Sequence, residues 1–323
     1  MKGPPSPQPS PIGRGGSPIA SPKGRGASSL APGGGGLGRG GSRDATGEGV
    51  ATKLAERYSE LRPLVAGRTI VAKLGGSVGS DDTVPEDVVV LQELGARVVL
   101  VHGGGPLITH WLARVGKETR FVKGLRYTDE ETLDVVRMVL GGLVNGEVVA
   151  RVSAAGARAI GLSGSDDGML LASVRDPETG LVGEIDAVNP EAIRRLLDSG
   201  YIVVIAPLAT TQEGTFLNVN ADTAAAEIVV ALDAWRFVSL TDVDGVSDGT
   251  GSGPRRQLSL DEVRALIAAG IISGGMIPKV EACVRAVTAT HVAHIVNGRT
   301  PHVLLEVLAN PETIGTTLTA DSR

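Results

Sequence analysis

Aromatic residues are scarce in this chain of 323 residues, which contains three Phe, three Tyr and two Trp. A hydrophobic core must therefore be built from Val, Leu, Ile and Ala, and a hydrophobic content of 42% is enough for a sizeable one. The single cysteine, Cys283, excludes an intrachain disulfide and fits a reducing compartment. No apolar run approaches the roughly twenty residues that span a bilayer, and the first twenty residues lack the apolar core of a secretory signal. We therefore expect a cytoplasmic protein without a membrane partner.

Positive charge is also in short supply, because the net charge is −5. Residues 1–49 hold six basic and two acidic residues, so the remaining 25 basic and 34 acidic residues leave the main body at −9. General nucleic-acid binding depends on a basic face that neutralises phosphates. The acidic main body argues against that class of function.

Several well-known catalytic motifs are missing. There is no Gly-x-x-x-x-Gly-Lys-Ser/Thr loop, and no Gly-x-Gly-x-x-Gly follows a strand. The segment His102–Gly105 resembles the oxyanion loop of some esterases, but Gly161–Ser165 ends in serine where a nucleophile elbow needs glycine. The five histidines and one cysteine show no metal-ligand spacing, so we predict no metal ligand in the protein.

Composition and periodicity distinguish two N-terminal segments from the main body of the chain. Residues 1–50 are rich in Gly, Pro and Ser and predict a disordered tail, whose basic composition also fits an organelle transit peptide. Residues 51–66 predict an N-terminal helix, continuous from 51 to 65, with one apolar stripe formed by Leu54, Tyr58, Leu61 and Val65.

Strand and helix patterns alternate through the main body, which predicts an α/β fold. We expect a mainly parallel sheet covered by helices on both faces, a three-layer αβα sandwich. One long helical region begins with Thr128 as its cap and Glu131 three residues on, and it is interrupted at Gly141-Gly142. In such sheets ligands bind beyond the carboxyl ends of the strands.

Two glycine turns follow adjacent predicted strands at that edge. An apolar β-branched run from Thr69 ends in Lys73-Leu74-Gly75-Gly76, and a second run ends in His102-Gly103-Gly104-Gly105. Glycine allows an anion to approach the bare backbone N–H groups, and a lysine adds a point charge. An ordinary strand end would look the same for either turn alone, but the pair together favours an anion site, because the second turn precedes a helix start.

Two later segments carry polar residues at helix starts. Asn218–Asp222 precedes a helix, and capping by Asn220 or Asp222 is a sufficient explanation for it. Gly274–Lys279 places a lysine on a first helical turn, where a solvated lysine is the alternative.

Seven motifs form one ordered set along the chain: Lys73-Leu74-Gly75-Gly76, His102-Gly103-Gly104-Gly105-Pro106, Gly124-Leu125-Arg126-Tyr127-Thr128-Asp129, Val144-Asn145, Asn218-Val219-Asn220-Ala221-Asp222, Thr241-Asp242-Val243-Asp244-Gly245-Val246 and Gly274-Gly275-Met276-Ile277-Pro278-Lys279-Val280-Glu281. From about Ala51 to Leu318 the chain resembles the acetylglutamate kinases of the amino acid kinase family. The resemblance implies transfer of the γ-phosphoryl group of ATP, with Mg²⁺ carried on the phosphates, to the side-chain carboxylate of N-acetyl-L-glutamate in arginine biosynthesis.

The same resemblance implies a role for each matching residue. The catalytic set would be Lys73, Asp222 and Lys279, with Asp222 aiming both lysines. Phosphate would be bound by Gly75, Gly76, Gly103 and Gly104. The resemblance also implies two lobes, an N-lobe over residues 67–206 and a C-lobe over residues 207–323, with a hinge near 206–214. The acetylglutamate substrate, held in the N-lobe, would contact Gly104, Gly105, Arg126, Asn218 and Asn220. ATP would lie on the C-lobe against Thr241, Asp242, Val243, Gly245, Val246 and Met276.

Two departures from the family pattern stand out. Ser165 replaces the lysine that relatives often carry, so one positive charge near the site is missing. Arginine-inhibited relatives have an N-terminal helix that joins dimers into a hexameric ring, and Leu61 stands where they often carry tyrosine. The resemblance therefore predicts a homo-oligomer, a dimer or, through the 51–65 helix, a hexamer, and leaves arginine inhibition open.

Two other functions stay open. The related kinase of lysine biosynthesis phosphorylates aminoadipate on an acidic carrier protein, a partner that the −9 main body disfavours. A non-catalytic arginine or nucleotide sensor is the other alternative, and retention of Lys73, Lys279 and Asp222 argues against it.

Overall fold

The structure is a computed structural model, and it describes residues 52–75, 83–251 and 253–320. The predicted tail, residues 1–50, and the predicted phosphate ligand Gly76 lie outside these ranges. Strands in the described residues are β1 Thr69–Leu74, β2 Arg97–His102, β3 Phe121–Val122, β4 Leu125–Arg126, β5 Ala159–Ser163, β6 Leu170–Val174, β7 Gly183–Val188, β8 Ile202–Ala206, β9 Leu208–Thr210, β10 Phe216–Asn218, β11 Arg236–Thr241, β12 Gln257–Ser259, β13 Val292–Asn297 and β14 Thr316–Thr319.

The largest sheet has eight strands in the order β12-β14-β13-β11-β1-β2-β8-β5. Its strand pairs are parallel except for β13 with β14, so the predicted mainly parallel sheet is confirmed. A four-stranded sheet, β10-β9-β6-β7, and the β3–β4 hairpin are separate from it. The sequence patterns did not predict this hairpin or β9, β10 and β12, because strands of two or three residues are too short to show a period.

The helices are α1 at residues 52–57, α2 Arg62–Val65, α3 Val84–Glu93, α4 Gly105–Arg114, α5 Glu130–Arg137, α6 Asn145–Ala154, α7 Glu191–Asp198, α8 Ala221–Leu232, α9 Leu260–Ala268, α10 Met276–Thr290 and α11 Val303–Ala309. None of the helices in the described ranges is long and apolar enough to cross a membrane.

Alternate side chains of β1 enter two different cores, as a sheet covered on both faces requires. Val71 lies in the core that includes α8 and α10, whereas Ile70 and Ala72 lie in the core that includes α3 and α11. The predicted three-layer sandwich is therefore confirmed, and it is built almost entirely from aliphatic side chains.

The N-terminal segment is helical but not continuous. α1 ends at residue 57, a 3₁₀ turn covers Ser59–Leu61, and α2 begins at Arg62. The single helix predicted over 51–65 was wrong at this point, because Pro63 has no N–H and its ring obstructs the carbonyl four residues earlier. The predicted apolar stripe is nevertheless buried, at Leu54, Tyr58, Leu61 and Val65.

The long helical region also differs in detail from its prediction. Asp129, not Thr128, caps α5: its side chain accepts a hydrogen bond from the Thr132 N–H at 2.9 Å. The hydroxyl of Thr128 instead donates to the Arg126 carbonyl at 2.9 Å. The interruption predicted at Gly141-Gly142 is a π-helical segment, Met138–Val144, between α5 and α6. Such segments are rare in proteins, and those that occur are frequently found at functional sites.

Candidate active site

A cleft opens at the carboxyl ends of β1 and β2, where ligands are expected in a parallel sheet. It has a volume of about 500 Å³ and is open to solvent. Its lining brings together most of the residues predicted to bind substrate or phosphate, namely Lys73, Gly103, Gly104, Gly105, Arg126, Asn218, Asn220 and Asp222.

One carboxylate and two lysines form a cluster here: Lys73 and Asp222 line the cleft, and Lys279 contacts Asp222 without being part of the lining. Lys73 Nζ is 2.8 Å from Asp222 Oδ1, and Lys279 Nζ is 3.4 Å from Asp222 Oδ2. The first contact is an ion pair without the alignment of a hydrogen bond. The three residues come from β1 and from the first turns of α8 and α10, so three separate elements converge on one point. The predicted pairing of Asp222 with both lysines is present.

Burial shapes the electrostatics of this group. Lys73 is 4% exposed and Asp222 is 6% exposed. Burial lowers the pKa of Lys73, the nearby Lys279 lowers it further, and the Asp222 carboxylate opposes both effects. With both lysines charged, the cluster carries one net positive charge that faces open space, an arrangement suited to an anion.

The two glycine turns are tied to the strands beside them. Gly75 donates its N–H to the Leu240 carbonyl at 2.9 Å, and Gly103 donates to the Leu74 carbonyl at 3.0 Å. A Cβ on Gly75 would come 2.9 Å from the same Leu240 oxygen, so only glycine fits there without a backbone shift. The Gly104 N–H donates to no acceptor among the described residues and stands at the N-terminus of α4. It is therefore available to an anion in the cleft.

Arg126 is almost buried beside the second turn. Its Nη2 donates to the Gly105 carbonyl and to Thr109 Oγ1, both at 2.9 Å, and its Nη1 donates to Thr119 Oγ1 at 3.2 Å. Across the described ranges it forms no ion pair with a carboxylate of the protein, although it is only 9% exposed. A buried guanidinium without an acidic partner is a site for a carboxylate from elsewhere.

The two predicted asparagines hold the opposite wall. Asn220 caps α8 by accepting hydrogen bonds from the N–H groups of Asp222 at 2.8 Å and Thr223 at 3.2 Å, so the capping interpretation is confirmed for Asn220 and not for Asp222. Asn218 donates from Nδ2 to Thr128 Oγ1 at 3.1 Å. This contact joins the wall to the segment that carries Arg126.

The predicted nucleotide residues do not line this cleft but lie beside it. Thr241 ends β11, the neighbour of β1, and Met276 begins α10 three residues before Lys279. The loop that follows β11 contains Asp242, Val243, Gly245 and Val246 and is held by the Val246 N–H, which donates to Thr316 Oγ1 at 2.8 Å. Val243 is 40% exposed at this edge.

Three residues have positions that the sequence did not predict. Ser165 lies in the turn after β5, where its hydroxyl is 2.7 Å from that of Ser163, and it is not among the residues that line the cleft. His102 and Asn145, which the motifs included without a role, are buried behind the second glycine turn. Their pairing has no local signal, since 43 residues separate them.

Comparisons with protein-family models and with curated proteins identify the same family. Residues 68–297 match the model of the amino acid kinase family. An acetylglutamate kinase from Methanoculleus marisnigri is 47% identical over 270 residues, which cover 78% of this chain and 93% of that protein. An acetylglutamate kinase from Acaryochloris marina is 44% identical over 282 residues, covering 84% of this chain and 99% of that one.

Solved structures agree on the fold. N-acetylglutamate synthase from Neisseria gonorrhoeae, complexed with coenzyme A and N-acetyl-glutamate, matches with a TM-score of 0.72 and 26% identity over 85% of this chain and 64% of that chain. Carbamate kinase from Giardia lamblia bound to AMP-PNP matches with a TM-score of 0.58 and 19% identity over 79% of this chain and 99% of that chain, which shows a shared fold alone.

Proposed function

Because the chain belongs to the amino acid kinase family, we propose that its cleft transfers the γ-phosphoryl group of ATP to the side-chain carboxylate of N-acetyl-L-glutamate. The curated relatives named acetylglutamate kinase, at 44–47% identity over most of the chain, support this substrate. A carboxylate oxygen attacks the γ-phosphorus, the bond from phosphorus to the β,γ-bridging oxygen breaks, and the products are the acyl phosphate and ADP.

This reaction needs no general base. The side-chain carboxyl of the substrate has a reference pKa of about 4.3 and is ionised at neutral pH. The barrier comes instead from bringing an anion against a polyanion, since like charges about 4 Å apart repel by roughly 4 kcal/mol at an effective dielectric constant of 20. Fixed cations and backbone N–H groups offset that repulsion.

The buried cluster supplies those cations. Lys73 and the N–H group of Gly104 hold the transferring phosphoryl group, with Gly76 implied by the resemblance as a further donor, and Lys279 neutralises charge on the leaving side. The N–H groups of Gly75 and Gly103 are not assigned to phosphate, because they already donate to the Leu240 and Leu74 carbonyls. Asp222 holds the two ammonium groups in place, at 2.8 and 3.4 Å. Because the protein fixes these positions before substrate arrives, little reorganisation is needed during the transfer.

Arg126 binds the α-carboxylate of the substrate in this proposal. Arginine has five N–H donors, and both Nη2 protons are engaged by Gly105 and Thr109. A bidentate grip on the carboxylate therefore requires the substrate to replace one of these two bonds, whereas a single contact from Nη1 or Nε does not. Asn218 and Asn220 would hydrogen-bond the remaining polar groups of the substrate.

The nucleotide would lie beyond the ends of β11 and α10. Within the described ranges there is no group of three or more His, Cys, Asp or Glu side chains that could hold a metal ion. We therefore assign Mg²⁺ to the phosphates of ATP, where it would neutralise charge, and no protein ligand is assigned to it.

We also propose a homo-oligomer. Large apolar side chains are exposed just after α4 and on the π-helical segment after α5: Val115 is 60% exposed, Met138 60% and Leu143 47%. They line an apolar hollow with Trp111 and Val135. Contiguous exposed apolar surface commonly marks an interface between proteins. A single monomer peak in analytical ultracentrifugation at micromolar concentration would refute this.

The observation that carries the enzymatic proposal is the Lys73–Asp222–Lys279 cluster facing an open cleft. One assay tests it: ATP consumption by the purified chain with free N-acetyl-L-glutamate, with free N-acetyl-aminoadipate, and with neither. We expect ADP and a hydroxylamine-trappable acyl phosphate with acetylglutamate only. Turnover with N-acetyl-aminoadipate and not with acetylglutamate would identify the lysine-pathway kinase, and no turnover with either substrate would support a sensor.

A further inference from the structure

We propose that His102 is a positioning residue for phosphoryl transfer: its Nδ1–H holds the carbonyl of Gly103 and thereby aims the N–H of Gly104 into the cleft. The inference rests on the proposed function, in which that N–H contacts the transferring phosphoryl group. His102 itself touches neither substrate nor nucleotide in this proposal.

Peptide geometry makes the link. The carbonyl of Gly103 and the N–H of Gly104 belong to one planar trans peptide unit and point in opposite directions. Fixing the carbonyl oxygen therefore fixes the direction of the N–H. His102 Nδ1 lies 2.9 Å from the Gly103 oxygen, on the side away from the free N–H. In a turn of three glycines no side chain restrains the backbone, so an external hold on this peptide matters.

The ring has only one protonation state that satisfies both neighbours. Gly103 offers a carbonyl, which accepts, so Nδ1 must donate. Asn145 presents its Nδ2 amide to Nε2 at 3.2 Å, and an amide nitrogen donates, so Nε2 must accept. The neutral ring with its proton on Nδ1 is the state that fits. Reversing the amide of Asn145 is unfavourable, because the same Nδ2 lies 3.2 Å from the Val204 carbonyl and 3.4 Å from the Leu162 carbonyl.

Asn145 is itself fixed. It follows the π-helical segment at the start of α6, and its buried side chain contacts residues of three strands, β2, β5 and β8. A Cβ on Gly161 would come 1.8 Å from Asn145 Oδ1, so the glycine leaves the space that the amide occupies. The π-helical segment also packs against the turn directly, since a Cβ on Gly104 would come 2.5 Å from Leu140 Cδ2. The chain thus holds the turn from behind at two points.

An acid–base role for His102 does not fit this environment. The side chain is 1% exposed, and burial lowers its pKa to about 4. A proton on Nε2 would face the amide N–H groups of Asn145. The ring therefore stays neutral through the physiological range and can neither accept nor deliver a proton during turnover.

Three substitutions separate the donor from the bulk of the ring. His102→Asn keeps an N–H close to the position of Nδ1, His102→Gln places its amide near Nε2 and loses that donor, and His102→Phe fills the ring volume without any donor. We expect His102→Gln and His102→Phe to lower kcat at least tenfold with both KM values within about threefold of wild type. His102→Asn should retain at least a third of the wild-type kcat.

Thermal unfolding of all three variants provides the control. Equal losses of kcat in the Asn, Gln and Phe variants would overturn the proposal, as would losses that follow the melting temperature rather than the presence of the donor. A wild-type kcat that titrates between pH 5.5 and 8, and stops doing so in His102→Gln, would also overturn it by revealing an acid–base role. Because each comparison is made against measurable wild-type turnover, failure here is distinct from failure of the proposed function.

Discussion

Two buried carboxylates in this molecule have cationic neighbours, yet their surroundings differ. Asp222 faces two lysines and an open cleft. Asp87, on α3, is fully buried: Oδ1 lies 2.7 Å from His302 Nδ1, and Oδ2 accepts the Leu304 N–H at 3.2 Å. His302 in turn donates its backbone N–H to Thr83 Oγ1 at 2.6 Å.

The difference lies in what each carboxylate leaves unsatisfied. At Asp222 there is one more positive charge than negative charge, and the excess faces the cleft. At Asp87 the positive charge of one partly exposed imidazolium balances the negative charge of the carboxylate, and the Leu304 N–H donates to its second oxygen. This site therefore has no excess charge that could attract a ligand. The first arrangement suits binding of an anion, whereas the second fastens α11 to α3. Buried charge alone does not mark an active site, but a buried excess of one sign beside open space is a strong indication.

The sharpest test of this contrast is Lys73→Met, which removes the charge and keeps most of the side-chain length. We expect kcat to fall by on the order of 10²–10³ or more, because a preorganised donor to the phosphoryl group is lost. Lys279→Ala and Asp222→Ala should likewise lose most turnover while remaining folded. Steady-state kinetics with acetylglutamate and ATP, beside the exposed-lysine control Lys53→Ala, measures the effect. Near-normal activity in folded Asp222→Ala would remove its assigned role.

The next largest effect is expected at Arg126, whose guanidinium has no acidic partner among the described residues. In Arg126→Lys a point charge remains, but the planar set of donors is lost. We expect KM for acetylglutamate to rise on the order of ten- to a hundredfold, since a hydrogen bond to a charged group is worth about 1.5–3 kcal/mol. KM for ATP should change far less. Equal increases in both KM values would show that Arg126 supports the whole cleft rather than one substrate.

The Asp87 cluster should respond in stability and not in turnover. Asp87→Ala leaves the His302 ring and the Leu304 N–H without their acceptor, at a cost of about 1–3 kcal/mol for each group. Urea unfolding should therefore show a loss of roughly 2–5 kcal/mol, with kcat at 25 °C within about twofold of wild type. A large loss of kcat in the folded variant would erase the distinction between the two carboxylates.

The smallest effect is a change in the pH dependence of stability. The hydrogen bond to Asp87 raises the pKa of His302 above its usual value, and burial raises the pKa of Asp87 to about 6. For both groups the folded state holds the proton more tightly than the unfolded state, so their contribution to stability falls as pH rises. The contribution of His302 is complete below about pH 6.5 and is lost as pH passes its raised pKa.

His302→Asn isolates that contribution. Asparagine keeps a donor for Asp87, tolerates the left-handed backbone at this position, where φ is +54°, and does not titrate. Between pH 6 and pH 9 we expect the melting temperature of wild type to fall more than that of the variant. Parallel curves would mean that His302 is not charged against Asp87 in the folded protein.

Much of the fold follows from patterns that the residues make locally. The residue patterns predict strands over 170–174, 202–206 and 316–319 and a helix over 221–232, and β6, β8, β14 and α8 have these bounds. Most of their apolar side chains are buried, as such patterns require. The prediction for the N-terminal segment was wrong near Pro63, because the apolar stripe favours a continuous helix and the proline interrupts it. The predicted cap of α5 was wrong because Thr128 and Asp129 are both residue types that cap helices well, and Asn218 forms a tertiary hydrogen bond with the threonine.

The candidate active site could be predicted less well than the fold from local sequence patterns. Lys73 and Asp222 are 149 residues apart, and nothing near either one in sequence indicates that they pair. The resemblance to a family supplied that relation, and the same resemblance gave no role to His102 or Asn145. Their contact requires that β2, the end of the π-helical segment and Gly161 lie close together, and only the three-dimensional arrangement reveals this.

The place of β1 in the large sheet has a mechanical consequence. β1 is bonded on one side to β2 and on the other to β11, with five consecutive register pairs from Ile70 with Arg236 to Leu74 with Leu240. This ladder joins the two predicted lobes in addition to the chain connection near residues 206–214. A simple hinge rotation there would shear the ladder, so the sheet acts as a stiff plate. We therefore expect opening and closing around substrates to involve elements outside this ladder, such as the β3–β4 hairpin that carries Arg126.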